Sequence, residues 1–197
     1  MSDPLAPVLA ALARPGRPSS DYDLNPEITL QQGRKLRPAA VLVAFEAAPE
    51  GVRLYLTKRA SHLKHHPGQI AFPGGKLDPE DASLEAAALR EAREEIGLPS
   101  EAVEVLGRLE PHETVTGFLV TPILARVITP FTPRPEAGEV EEVFTVPLSH
   151  IAPENFRVER RRWQRVWRKY YVAPYGPYYI WGATARMLRA LSDRMTP

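Results

Sequence analysis

The 197-residue chain contains no cysteine. That excludes disulfide bracing, thiolate catalysis and cysteine-ligated zinc, and it leaves nothing for a thiol-bearing ligand to trap as a mixed disulfide. A dominant charge is also missing. Lys and Arg number 25 against 24 Asp and Glu, a net charge of +1 at pH 7, so no global field draws the chain to nucleic acid or to an anionic membrane. No run approaches the ~18 apolar residues of a membrane span. The apolar stretch at 4–13 (PLAPVLAALA) is short and follows Asp3 rather than basic residues. It reads as a small helix and not a secretory signal, and a cytoplasmic location is expected.

What is present fits one globular domain with ample length for a core. Residues 1–27 read as the N-terminal helix and a Pro/Ser-rich connector, and 28–197 as the domain proper. Ala39–Phe45 is a buried strand, and Val52–Thr57 is its hairpin partner across Gly51. Further strands are expected at Gln69–Phe72, Val103–Leu109, Phe118–Ile128, Val140–Val146, 163–172 and 178–180, with Pro-rich residues 129–138 as a spacer. A central helix starts at a cap on Asp81 or Ser83 and stops at Gly97 before Pro99. Trp181–Asp193 closes the chain as an amphipathic helix. The class is α+β with a mixed sheet.

The chemistry gathers on the central helix. Residues three and four apart share a helix face, so Glu91, Glu94 and Glu95 fall within one arc. Three crowded carboxylates repel one another unless water or a cation screens them. A solvated acidic face should lie opposite the apolar stripe Leu84, Ala88, Leu89, Ala92 and Ile96. This arc instead flanks the stripe, with Glu95 nearest the core edge. Ala87, one turn earlier in the same arc, should leave space above the backbone for a ligand. Oxygen ligands suit a hard divalent cation, Mg²⁺ or Mn²⁺, rather than zinc.

The run Gly75 then Arg90-Glu91-Ala92-Arg93-Glu94-Glu95-Ile96-Gly97-Leu98 resembles the Nudix box, whose tail it matches at every position. The resemblance implies the Nudix fold, a mixed β-sheet sandwiched between α-helices. It also implies metal-dependent hydrolysis of a nucleoside diphosphate linked to another group. One departure stands out. Counting back from Arg90, the usual box glutamate falls on Ala82, and Gly75 lies one residue early. Asp81, next to the empty position, is the substitute partner expected for Arg90. Glu91 and Glu95 are the leading metal ligands. Glu94 either completes the site or deprotonates the attacking water, with Arg90 grouped beside it in the catalytic set. Glu139, Glu141 and Glu142 are further candidates for ligand or base.

A second resemblance is narrower. Leu56-Thr57-Lys58-Arg59-Ala60, then Lys64, Gly68 and Phe72-Pro73-Gly74-Gly75, is similar to the signature of bacterial coenzyme A pyrophosphatases, with Tyr55 and Lys64 in place of a Leu and an Arg. Coenzyme A would then be divided into 4′-phosphopantetheine and adenosine 3′,5′-bisphosphate. Arg59, Lys64, Gly74 and Gly75 are the expected substrate contacts, Arg for bidentate phosphate binding and Lys as a point charge. His65 and His66 read as exposed or structural. Two alternatives stay open: a broader pyrophosphatase acting on NADH, ADP-ribose or dinucleoside polyphosphates, and a non-catalytic module binding nucleotide or RNA. Arg157–Lys169 holds seven basic residues interleaved with Trp163 and Trp167. It is read as a strand pair with one packed and one solvated face in preference to an RNA platform. A small-molecule partner is expected, with no nucleic acid and no membrane. Oligomeric state is open, a homodimer included.

Overall fold

The computed structural model describes residues 3–30, 33–163 and 166–196. Short α1 (Ala6–Ala13) leads to the two-residue strand β1 (Ser19–Ser20) inside the connector, and then to β2 (Arg37–Ala48), the spine of the sheet. Apolar side chains alternate on both faces of β2. Ala40, Leu42 and Ala44 enter one core, and Ala39, Val43 and Phe45 the other. A strand buried on both faces needs nearly continuous hydrophobic sequence, which residues 39–45 supply.

Each edge of β2 carries a different partner. It runs parallel to β8 (Phe118–Val127) along one edge. On the other it pairs antiparallel first with β5 (Gly74–Lys76), at Ala39–Val41, and then with β3 (Gly51–Arg59), at Phe45–Ala48. β9 (Val140–Pro147) lies beyond β3, while β4 (Ile70–Ala71) pairs with the end of β3 on the same edge as β2. Beyond β8 lie β6 (Val103–Arg108) and β7 (His112–Glu113), and β1 runs parallel to β7. Helix α2 (Leu84–Ile96) covers one face with Ala87, Ala88, Ala92 and Ile96. The other face is covered by α1 and α3 (Gly182–Met195), through Leu5, Val8, Leu188 and Leu191. Residues 1–27, read as helix and connector, thus place α1 in the same core as the sheet. Among the described residues no helix is long and apolar enough to cross a membrane.

Three expectations are corrected. Ala87 is fully buried against the sheet, so it leaves no space for a ligand; the helix sits too close there. The strand expected over 163–172 starts only at Val166: β10 (Arg157–Trp163) and β11 (Val166–Val172) form an antiparallel hairpin, the strand pair read over 157–169, while Gln164 and Arg165 lie outside the described residues. The aromatic run at 178–180 forms no strand. It is stapled by isolated bridges, Tyr175 to Tyr178 and Val172 to Trp181.

Candidate active site

Ser83 caps α2, its hydroxyl accepting the Ala86 N–H at 3.1 Å, and Gly97 ends the helix in the left-handed conformation at φ 70°. Packing of Ala87, Ala88, Ala92 and Ile96 against the sheet sets the rotation of the helix, and that rotation decides where three glutamates point. Glu95 points inward and is 5% exposed. Its Oε2 accepts the backbone N–H of Gly74 at 3.1 Å. Glu91, half-buried, lies against the next residue of β5. A Cβ at Gly75 would come within 2.2 Å of Glu91 Oε1, so the missing side chain is what admits the carboxylate. Glu94 stays exposed on the rim.

Arg90 ties the rim together. Its Nε and Nη2 donate to the two oxygens of Asp81 at 3.0 and 2.9 Å, a bidentate fork. Nη1 donates to Glu91 Oε1 and to Glu94 Oε2, each at 3.1 Å, and Nη2 also reaches the Lys76 carbonyl at 3.3 Å. Asp81 does not cap the helix. It accepts the Asp78 N–H as well as the guanidinium, and these bonds hold its carboxyl below the usual range.

The charge balance at the centre is negative. Burial pushes the Glu95 carboxyl up to about 8 against the pull of the Gly74 N–H. Glu91 and Glu139 add repulsion, and Arg59 offsets part of it. Glu91 is also raised by burial, with Arg90 opposing and Glu94 and Glu139 reinforcing. Two further strands deliver these neighbours. Arg59 ends β3 at a bulge, and the carbonyl of Glu139, just before β9, accepts the Ala60 N–H at 2.8 Å. The Pro-rich stretch read as a spacer does more than connect. Arg134 N–H donates to the Ile96 carbonyl and Glu136 N–H to the Glu95 carbonyl, both at 2.9 Å, so it satisfies the last turn of α2.

The remaining candidates sit elsewhere. Glu141 pairs with Lys58 at 2.6 Å, and Glu142 accepts the Tyr178 hydroxyl at 2.6 Å. Lys64, His65 and His66 are exposed on the 60–69 loop. Arg59, Gly74, Gly75, Glu91 and Glu95 therefore form the inner group, with Glu94, Arg90 and Asp81 along its rim.

A match to the family model described as the NUDIX domain spans residues 35–166. The chain belongs to the Nudix family. A Salmonella heidelberg protein (strain SL476) named "Uncharacterized Nudix hydrolase NudL" is 45% identical over 175 residues, covering 86% of this chain and 88% of that one. The Nudix hydrolase RenU from M. smegmatis is 27% identical with a TM-score of 0.50, covering 58% of this chain and 72% of that one. A MutT/nudix family protein from Enterococcus faecalis is 18% identical with a TM-score of 0.52. It shares the fold over 85% of this chain and 65% of its own.

Nudix hydrolases generally use divalent metal ions. Among the described residues no three His, Asp or Glu side chains converge on one point. The donor set nonetheless suits such an ion. A buried carboxylate crowded by Glu91 and Glu139 calls for positive charge, and its oxygens are hard donors. Arg90 already serves Glu91 and Glu94, which leaves Glu95 the carboxylate in most need.

Proposed function

We propose that this Nudix hydrolase cleaves the pyrophosphate of coenzyme A, with Mg²⁺ or Mn²⁺, to 4′-phosphopantetheine and adenosine 3′,5′-bisphosphate. The observation that carries the reading is the run from Leu56 to Gly75. It is similar to the coenzyme A pyrophosphatase signature, and it ends on the two glycines that back Glu91 and Glu95. Arg59 at its start bears on the charge of Glu95, where a phosphate would need both cation and metal.

Glu91 and Glu95 would hold the ion, with Glu94 at the rim. When bound, it supplies charge stabilisation at phosphoryl oxygens and makes water a better nucleophile. The chain's own residues do the rest. The two glycines of β5, Gly74 and Gly75, let its backbone approach the carboxylates of Glu95 and Glu91. Arg90, fixed by Asp81, holds Glu91 and Glu94 in orientation. Arg59 and Lys64 bind phosphate oxygens. Water oxygen bonds to phosphorus, the bridging P–O bond breaks, and the proton passes to a carboxylate, with Glu94 and Glu139 the candidate bases.

Incubation with coenzyme A and Mn²⁺ or Mg²⁺, followed by chromatography, is expected to yield the two named products. The 3′-dephospho form should be cleaved more slowly. Absence of adenosine 3′,5′-bisphosphate, with brisk cleavage of NADH, ADP-ribose or a dinucleoside polyphosphate, would overturn the substrate assignment in favour of the broader pyrophosphatase.

A further inference from the structure

The β10–β11 hairpin stands apart from the nine-stranded sheet as a two-stranded sheet of its own. Cross-strand pairs sort its residues by face. Val158 with Tyr171, Arg160 with Lys169 and Arg162 with Trp167 share one face. That face is exposed at every one of these positions except Tyr171, and Val158 and Trp167 are 50% and 55% accessible. On the opposite face Val172 is buried and Glu159, Arg168 and Tyr170 are half-buried, Arg168 lying over the Tyr22 ring, while Arg161 and Val166 toward the tip are exposed. The hairpin thus has the expected packed and solvated faces, and the packed one opens to solvent at the tip. Tyr170 meets Trp181 edge-on and Asn25 exchanges hydrogen bonds with the Lys169 backbone.

The charges on this arm are concentrated and of one sign. Several basic side chains elsewhere pair with carboxylates: Arg53 with Glu46, Arg126 with Asp3, Arg186 with Asp23 and Arg189 with Asp193. The hairpin has one acid, Glu159, and it is already engaged by Arg157 at 2.8 Å and by the Tyr179 hydroxyl at 2.6 Å. Among the described residues Arg160, Arg161, Arg162 and Lys169 have no carboxylate partner. Such a cluster repels itself, and an anion relieves it. Arg160 also lies over the Trp167 ring, 5.1 Å from its centroid, presenting a flat π surface flanked by cations.

We infer that this exposed arm is a docking surface for single-stranded nucleic acid, separate from the pyrophosphate site. Alternate residues of a strand lie about 7 Å apart, so Arg160 and Arg162 offer a repeating row of charge to a repeating row of phosphates. Trp167 offers a base its stacking partner. A second copy of the hairpin would bring like charge against like. An acidic peptide would meet the charge and leave the ring without a partner. The net charge of +1 is no objection, because the attraction is local to one arm.

The test is fluorescence anisotropy of the full chain with labelled oligouridylate and oligothymidylate. A blunt duplex of equal length and phosphatidylserine-containing vesicles serve as comparison arms. Both single strands are expected to bind, more weakly as salt rises, and the duplex less well because its bases are not free to stack. Trp167→Ala should weaken binding about tenfold. Replacing Arg160 and Arg162 together by Glu should weaken it further and reduce the salt slope by about 1.4. All three substitutions fall on exposed side chains, so circular dichroism melts should match the parent. Melts that match while neither single strand binds would overturn the proposal. So would binding unchanged by Trp167→Ala, or capture of the protein by the vesicles but not by the oligonucleotides.

Discussion

Burial of the Glu95 carboxylate beside Glu91 and Glu139 makes its ionised form costly in the metal-free protein. The group titrates at 4.5 when unperturbed and at about 8 in the fold. Between those values the native state holds a proton that the unfolded chain has released. Stability of the metal-free protein therefore falls as pH rises through this window and levels off above it. Glu95→Gln removes the charge and keeps an acceptor for the Gly74 N–H. In chelator, the variant should melt higher than the parent above about pH 8 and close to it below about pH 4.5. Its turnover should drop about 100-fold or more. Melting curves and a product assay check both, and unchanged turnover would remove Glu95 from the metal site. Helical spacing was enough to put three glutamates in one arc of α2. It was not enough to show that Glu95 takes its hydrogen bond from Gly74, 21 residues upstream, because that contact depends on how β5 meets the helix. Asp81 was selected by counting, since Ala82 offers no carboxylate, and in the structure it receives the Arg90 fork.

The elements around the site divide the work between two neighbouring glycines. A Cβ at Gly74 would lie 2.4 Å from the Ala40 carbonyl oxygen and 2.6 Å from Val41 Cα, with φ at 155°. Those atoms belong to the paired spine strand and cannot move aside cheaply. Gly74→Ala should thus cost about 1–3 kcal/mol of stability, visible as a lower denaturant midpoint. At Gly75 the clash is with the carboxylate of Glu91, the end of a side chain. Gly75→Ala should leave the midpoint nearly unchanged and cut turnover about tenfold or more by displacing that carboxylate. Equal destabilisation by both would contradict the division. Strands and helices in this part of the chain were legible because their periodicities are plain and Gly51 and Gly97 punctuate them. The 157–172 hairpin was harder to divide. Basic and apolar residues are mixed from Arg157 to Val172 without the Gly, Asn or Pro that normally signals a turn.

Across the whole molecule, the first and last helices are clasped by two arginines. Arg194, near the end of α3, donates to the carbonyls of Ala11 (2.9 Å), Leu12 (3.5 Å) and Arg14, and pairs with Glu110. It adds donors at the C-terminal end of α1, where Ala11 already accepts the Arg14 N–H. Arg14 returns the contact, reaching the Arg194 and Thr196 carbonyls at 2.7 and 2.8 Å. Arg194→Ala should cost about 1–3 kcal/mol in a denaturation experiment, with turnover of the folded fraction unchanged. An unaltered midpoint would mean that Leu5, Val8 and Ala11 hold α1 by apolar burial alone. No local pattern in the sequence links residues 11–14 to 194. The mixed sheet between helices was legible from the strand and helix pattern, and the box pointed to the same fold. A clasp between residues about 180 positions apart was not.

The Pro-rich stretch between β8 and β9 is constrained in length. Ordinary surface connectors accept added or deleted residues, because nothing downstream depends on their length. Here the same few residues both close the end of α2 and carry Glu139, so the distance from Glu136 to Glu139 acts as a ruler. One residue more or fewer would shift a negative charge toward or away from Glu95 without touching the box itself. A family member could thus retune its proton and metal affinities by changing the length of a loop.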